Sequence, residues 1–176
     1  RGVSNMTKKL AWIEMERGFL ASVWSQQGLY ELTFPYPSRQ QAQTHLTTSE
    51  LSEAPLEPAQ QEWLAVLTDQ LRDYFGGTPV AFRVPIDWSG YSEFRLKALQ
   101  FTAAIPHGQV ATYGGVAAAV GRPAAARAVG GAMHANRTPI VVPCHRVIGS
   151  DGGLTGFGGG LTLKQELLGL EQKHTE

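Results

Sequence analysis

Cys144 is the only cysteine in the chain. No internal disulfide can staple such a fold and no multi-cysteine zinc cage can organise it, so a buried apolar core has to hold it together. A length of 176 residues is enough for that, as one ordinary domain or two small ones. Apolar residues make up 43% and charged residues 17%, a balance that excludes a disordered chain. The apolar runs are far too short to span a bilayer, and no charged start leads into a long apolar stretch. A soluble, cytoplasmic protein with no membrane partner is therefore expected. A lone thiol is by default a small buried hydrophobe, and only its neighbours can make it reactive.

The pattern along the chain changes near residue 90. Leu10–Met15 and Phe19–Trp24 flank Glu16-Arg17-Gly18 as the arms of a hairpin, and 29–34 alternates as a half-buried strand does. Residues 35–58 are polar with four prolines, which predicts a connection without regular structure. Pro58 opens a helix whose apolar face carries Trp63, Leu64, Leu67, Leu71, Tyr74 and Phe75, and Gly76-Gly77 stops it. Val80–Ile86 is a further strand candidate, and 87–90 is a hinge. Beyond it the signal is helical. Ser92 caps a helix that Pro106-His107-Gly108 ends, Thr112 caps a short helix closed by Gly121, and Pro123 opens another that ends near Met133. Two short helices about a tight turn make a helix-turn-helix candidate. Ile140–Val142 suits a short buried strand and Leu161–Leu170 a last helix. The expectation is an α+β chain. Residues 6–88 form a small sheet with a helix, and residues 89–176 form a mainly helical domain.

Charge divides the same way. Residues 44–93 hold eight Asp/Glu against two Arg, whereas 94–160 hold six Lys/Arg against one Asp, within a net charge of zero. The second part is suited to meet a polyanion. The segment from Pro123 to Met133 is almost all Ala and Gly, and two glycines inside a helix cost about 1 kcal/mol each. Tight helix packing would explain the small residues as well as a close approach to a bulky ligand would. Arg127 in their midst favours a nucleic-acid backbone or an opened base stack. Residues 149–160 contain seven glycines in twelve positions, yet neither a phosphate loop nor a dinucleotide fingerprint fits their spacing.

Cys144 follows Pro143 and precedes His145. A thiol at the end of an apolar strand is a poor nucleophile unless a base stands near. Neighbouring side chains of an extended strand point to opposite faces, so a direct Cys144–His145 contact requires a bend after Pro143, and otherwise a water must bridge them. Glu171 or Glu166 on the last helix could orient the imidazole. No metal site is expected.

Pro143-Cys144-His145-Arg146-Val147 resembles the active-site signature of the O6-alkylguanine-DNA alkyltransferases. Ile105–Val110 with Thr112-Tyr113-Gly114, the run Arg122–Gly130, and Thr155–Gly160 resemble that family's helix-turn-helix approach, recognition helix and substrate loop. The likeness covers roughly 92–172, and the part before it matches in general plan only, a ribonuclease H-like sheet with a helix. The resemblance implies a single-use repair protein that binds double-stranded DNA in the minor groove and flips O6-alkylguanine, and O4-alkylthymine too. The alkyl group goes irreversibly to Cys144, without any cofactor. It implies His145 acting through water, Glu171 holding His145, Asn136 bracing the cysteine turn, and Tyr113 donating to the departing guanine. Arg127 would fill the gap in the stack, with Arg122, Gly114, Ala125 and Ser150 on DNA and Phe157, Gly158 and Val147 around the base. A monomer is implied, nucleoid-associated in a bacterium or archaeon, with cooperative binding on DNA left open.

Several positions depart from the pattern. Arg95 and Leu99 stand where Gln and Trp are usual, Arg137 where Pro is, Phe157 where Tyr is, and Gly158 where some relatives have Ser. A looser brace or an added phosphate contact at Arg137, and a wider pocket at 157–158, are the corresponding expectations. Two other readings compete. A damage-binding module without transfer shares the layout but lacks the cysteine. A cysteine hydrolase would use Cys144 and His145 but leaves the helix-turn-helix unexplained.

Overall fold

The computed structural model describes residues 7–153 and 160–173, so Phe157 and Gly158 lie outside the described residues. The chain is mixed α and β and forms two compact units. One comprises residues up to Arg72 together with Phe82–Trp88, and the other Asp73–Ala81 with Ser89 onward.

In the first unit, β1 (Lys8–Met15) and β2 (Gly18–Ser25) form the expected antiparallel hairpin, and β3 (Gly28–Leu32) pairs antiparallel with β2. Residues Leu20–Ser25 are buried without alternation, because β2 lies inside the sheet with both faces covered. The connection after β3 is more ordered than its composition suggests. It holds α1 (Arg39–Thr44), capped by the Ser38 hydroxyl, and β4 (Leu51–Ser52), which adds parallel to β1. The sheet order is β3-β2-β1-β4. Glu31 fastens this connection, since its buried carboxylate accepts from the N–H and hydroxyl groups of both Thr47 and Thr48 at 2.7–3.0 Å. α2 (Pro58–Phe75) starts at the predicted proline, and its Trp63 stacks on Trp24 with ring centroids 6.3 Å apart. The predicted strand at Val80–Ile86 does not form. Pro85 has no N–H to give a ladder, and the segment meets β3 as an isolated bridge, with Leu29 N–H to Pro85 O and Asp87 N–H to Leu29 O, both 2.8 Å.

The last turn of α2 counts with the second unit and ends as a Schellman motif. Thr78 N–H reaches Asp73 O at 3.0 Å and Gly77 N–H reaches Tyr74 O at 2.9 Å, with Gly77 at φ 93°. α3 (Glu93–Ala103) begins at Ser92, whose hydroxyl accepts from Arg95 N–H, and buries Ala98, Leu99 and Thr102. Leu99 is therefore an ordinary core residue. α4 (Tyr113–Ala119) is capped by Thr112, and Gly121 turns the chain at φ 83°. The following helix starts later than predicted. Residues 122–125 form a turn closed by Ala125 N–H to Arg122 O, and α5 (Ala126–His134) begins after it with no side-chain cap. α3, α4 and α5 close around Val116, Ala117, Val129, Ala132 and Met133. A two-stranded parallel pair joins β5 (Ala111–Thr112) to β6 (Val147–Ile148), and α6 (Leu161–Gln172) completes the unit.

The buried strand expected at Ile140–Val142 is instead a chain of tight turns. Prolines at 139 and 143 remove two donors and pin φ. Val141 N–H closes on Pro139 O with Ile140 at φ 72°, a costly conformation for a β-branched residue. Cys144 N–H then closes on Val142 O across Pro143, at φ −81° and ψ 66°, an inverse γ-turn. Residues Cys144–Arg146 follow as one 3-10 turn. No helix among the described residues is long and apolar enough to cross a membrane.

Gly77 holds the end of α2 in a left-handed conformation that alanine adopts only under strain. Gly77→Ala should lower unfolding free energy by about 1 kcal/mol in urea titration.

Candidate functional site

After Pro143 the chain bends into a 3-10 turn at Cys144–Arg146, and no hydrogen bond between the Cys144 and His145 side chains is formed among the described residues, which leaves the water-bridged alternative. Cys144 is 6% exposed, and His145 and Glu171 are buried. Glu171, on α6, accepts from four donors. Its Oε1 receives Arg146 Nε at 2.6 Å and Gly108 N–H at 3.2 Å, while its Oε2 receives Tyr74 O–H at 2.9 Å and a short hydrogen bond from His145 Nε2. Arg146 is held at its other end by Ile105 O, 2.6 Å from Nη1. Glu166, the other carboxylate considered for this role, is exposed.

These contacts assign the imidazole tautomer. An ionised carboxylate only accepts, so Nε2 carries the hydrogen and the neutral ring keeps its lone pair on Nδ1. Nδ1 is buried and meets no protein partner among the described residues. Burial of the ring lowers the His145 pKa, opposed by the hydrogen bond and charge of Glu171. For Glu171 burial acts upward, but His145 and Arg146 outweigh it and hold the carboxyl at about 2.

Burial likewise pushes the Cys144 thiol up. Opposing it are a hydrogen bond from the Asn136 side chain, the charge of Lys164, and the backbone N–H groups of Cys144 and His145. Asn136 also braces the turn, giving Nδ2–H to Val142 O at 2.9 Å and accepting Thr138 N–H at 3.0 Å. Lys164, which the sequence reading passed over, is fully buried, with Nζ 2.7 Å from Val147 O and 5.7 Å from the centre of the Tyr113 ring. It shares the inward face of α6 with Leu167 and Glu171. That 164–167–171 spacing was visible in the sequence, where two charges share a face with a leucine. Tyr113, the first residue of α4, has its phenol pKa raised by burial and then by the Cys144 charge, so it stays protonated.

Of the remaining predicted residues, Val147 adjoins this cluster through its carbonyl on Lys164, and the other described ones are on or near the surface. Arg127 is exposed on α5, Arg122 and Gly114 are exposed, Ala125 is half-buried at the start of α5, and Ser150 is exposed after β6. The guanidinium of Arg122 sits over the Phe94 ring at 5.6 Å. Val147 is buried in β6. Arg137 lies over the Tyr91 ring at 4.1 Å, donates from Nη2 to Ser89 O at 2.8 Å, and has its N–H on the Tyr91 hydroxyl. It is thus engaged by the 89–91 segment, and the Asn136 brace is intact. No group of three His, Cys, Asp or Glu side chains among the described residues could hold a metal ion.

Residues 93–173 match the family described as 6-O-methylguanine DNA methyltransferase, DNA binding domain. A methylated-DNA–protein-cysteine methyltransferase of Mycolicibacterium paratuberculosis is 43% identical over 136 residues, covering 74% of this chain and 82% of that one. The chain belongs to the methylated-DNA–protein-cysteine methyltransferase family. Among solved members, the crystal structure of Mycobacterium tuberculosis O6-methylguanine methyltransferase is similar with a TM-score of 0.74 and 33% identity, covering 95% of this chain and 94% of that one. That of Mycobacterium tuberculosis OGT in complex with DNA has a TM-score of 0.75 and 32% identity, covering 95% and 93%. The small sheet and several helices of this methyltransferase-family chain match those structures.

Glu171 sits below its ordinary 4.5, so its contribution to stability is full above that value and disappears as pH falls toward 2. Glu171→Gln should remove this acid-sensitive window. It should also cost about 3–5 kcal/mol at neutral pH, since Arg146 stays buried without its anion. Denaturant titrations at several pH values measure both effects.

Proposed function

We propose that this chain repairs alkylated duplex DNA by moving the alkyl group of O6-alkylguanine, and of O4-alkylthymine, onto Cys144, once per molecule. The observation that carries this reading is the turn holding the only thiol and an imidazole whose other nitrogen is committed to Glu171. With Nε2 so engaged, Nδ1 is the basic atom, and it takes the thiol proton through water. Sulfur then forms a bond to the alkyl carbon, and the pair of the carbon–oxygen bond departs with guanine. The Tyr113 hydroxyl supplies a hydrogen bond or proton to that leaving group, and solvent returns the balance from His145. The Lys164 ammonium and the Asn136 amide stabilise the thiolate while it exists. The product is a thioether with no carbonyl for water to attack, so Cys144 is not regenerated.

The adduct is inside the stack and the base has to leave it, at a cost of roughly a few kcal/mol. We assign α4 and α5 to a helix-turn-helix that enters the minor groove, with Arg127 filling the gap. Support comes from the surface of these helices. A Cβ added at Gly114, Gly130 or Gly131 would meet nothing within 4 Å, so internal packing does not require these glycines. The first N–H groups of α5 have no side-chain cap, which suits a phosphate. The order β3-β2-β1-β4, with β4 parallel to β1, supports a ribonuclease H-like plan for the first unit. We read the protein as acting in the cytoplasm on double-stranded DNA, as two domains divided near residue 89, with Asp73–Ala81 counted with the second rather than within an unbroken 6–88.

Incubation with a duplex containing O6-methylguanine should add one methyl mass to Cys144 and no more. Cys144→Ser should add none, and Arg127→Ala should slow transfer on duplex far more than on the free modified base. A wild-type protein that binds the duplex without gaining mass would make this a damage-binding module instead. The methylated protein should also melt lower than the free one, by roughly 1–3 kcal/mol, because the extra carbon overpacks a buried site.

A further inference from the structure

One buried titratable group at the site has no part in the transfer as derived. Tyr74, on the last turn of α2, is fully buried, and its sequence position marked it only as one apolar contact among Leu67, Leu71 and Phe75. Phenylalanine would fill the same space. The hydroxyl instead donates to Glu171 Oε2 at 2.9 Å and lies 3.4 Å from His145 Nε2. Both the phenol and the imidazole are donors toward one oxygen, while Arg146 Nε and Gly108 N–H hold the other. A carboxylate oxygen that accepts a second hydrogen bond presents less charge to the first donor. The groups facing His145 are Glu171 and Lys164 from α6, Cys144 and Arg146 from its own turn, and Tyr74 from α2. His107 lies edge-on to the Tyr74 ring at 6.1 Å. Of these, Glu171 is the resident anion that steadies the imidazolium, joined by the Cys144 thiolate only while the thiol proton is away, whereas Arg146 and Lys164 oppose it.

We infer that Tyr74 is a positioning residue that acts through Glu171, fixing the carboxylate oxygen that holds His145 and limiting how strongly it draws a proton onto the imidazole. The inference rests on the reading of His145 as the base for Cys144. Its test is the rate of methyl transfer from an O6-methylguanine duplex, followed by intact mass between pH 5 and 9, for wild type and Tyr74→Phe. Without the phenol, Glu171 Oε2 serves His145 alone. The acid limb of the profile should then move up by roughly one pH unit, with the plateau above it changed less than about threefold. The His145 ring resonances should titrate upward in parallel. An unmoved limb with one uniform loss at every pH would reduce Tyr74 to packing and overturn the inference. Site-specific 3-fluorotyrosine at position 74 keeps the shape and strengthens the donor, so it should move the limb down. A limb unmoved there overturns the inference even if Tyr74→Phe folds poorly. Absence of any mass gain in wild type would instead sink the transfer reading itself.

Discussion

A single buried carboxylate organises the second unit. Glu171 reaches the core on α6 and would be costly there without partners. Its partners come from the end of α2, the 105–108 turn and the cysteine turn, which are distant in sequence. Arg146, tied to Ile105 O at its far end, keeps these segments in register. If either Glu171 or Arg146 were missing, a charge would stay buried and unmatched, so the arrangement is specified more than it is stabilised.

The turn carrying Cys144 works under opposing pressures. Burial favours the neutral thiol, while the amide of Asn136, the ammonium of Lys164 and two backbone N–H groups favour the anion. A thiol balanced in this way stays mostly protonated at rest, which limits wasteful oxidation, and becomes nucleophilic when a base takes the proton. The strained backbone at Ile140 and the inverse γ-turn at Pro143 belong to the same device. They place the sulfur at the start of a 3-10 turn, where N–H groups point toward it, rather than at the end of a strand.

Much of this was legible where local chemistry decides structure. The Glu16-Arg17-Gly18 hairpin, the starts at Pro58, Ser92 and Thr112, and the stops at Gly76-Gly77 and Gly121 follow from capping and turn preferences that act over four or five residues. Elements set by distant partners were not legible. β4 is two residues long and exists because β1 offers an edge, α1 is one short turn beside β2, and Ile140–Val142 looks apolar enough for a strand until the two prolines beside it are weighed. The same division holds at the site. Cys144 and His145 stood out through the signature at 143–147, whereas the residues alone left Glu166 open beside Glu171 and only the family resemblance selected Glu171. Lys164 and Tyr74 were hidden, since a lysine stem and a phenol ring read as solvent-facing or apolar until the fold brings their polar ends to a partner.

The glycines at 114, 130 and 131 have a consequence for search. A surface whose protruding side chains are few, with Arg127 set among small residues, has little with which to distinguish one base edge from another, so its fit to a groove depends on groove shape and on the backbone. A protein docking by such a face would hold every stretch of duplex about equally well and pass quickly along it. Discrimination would then fall on how easily each nucleotide can be drawn out, which makes weak pairing itself the mark of a lesion.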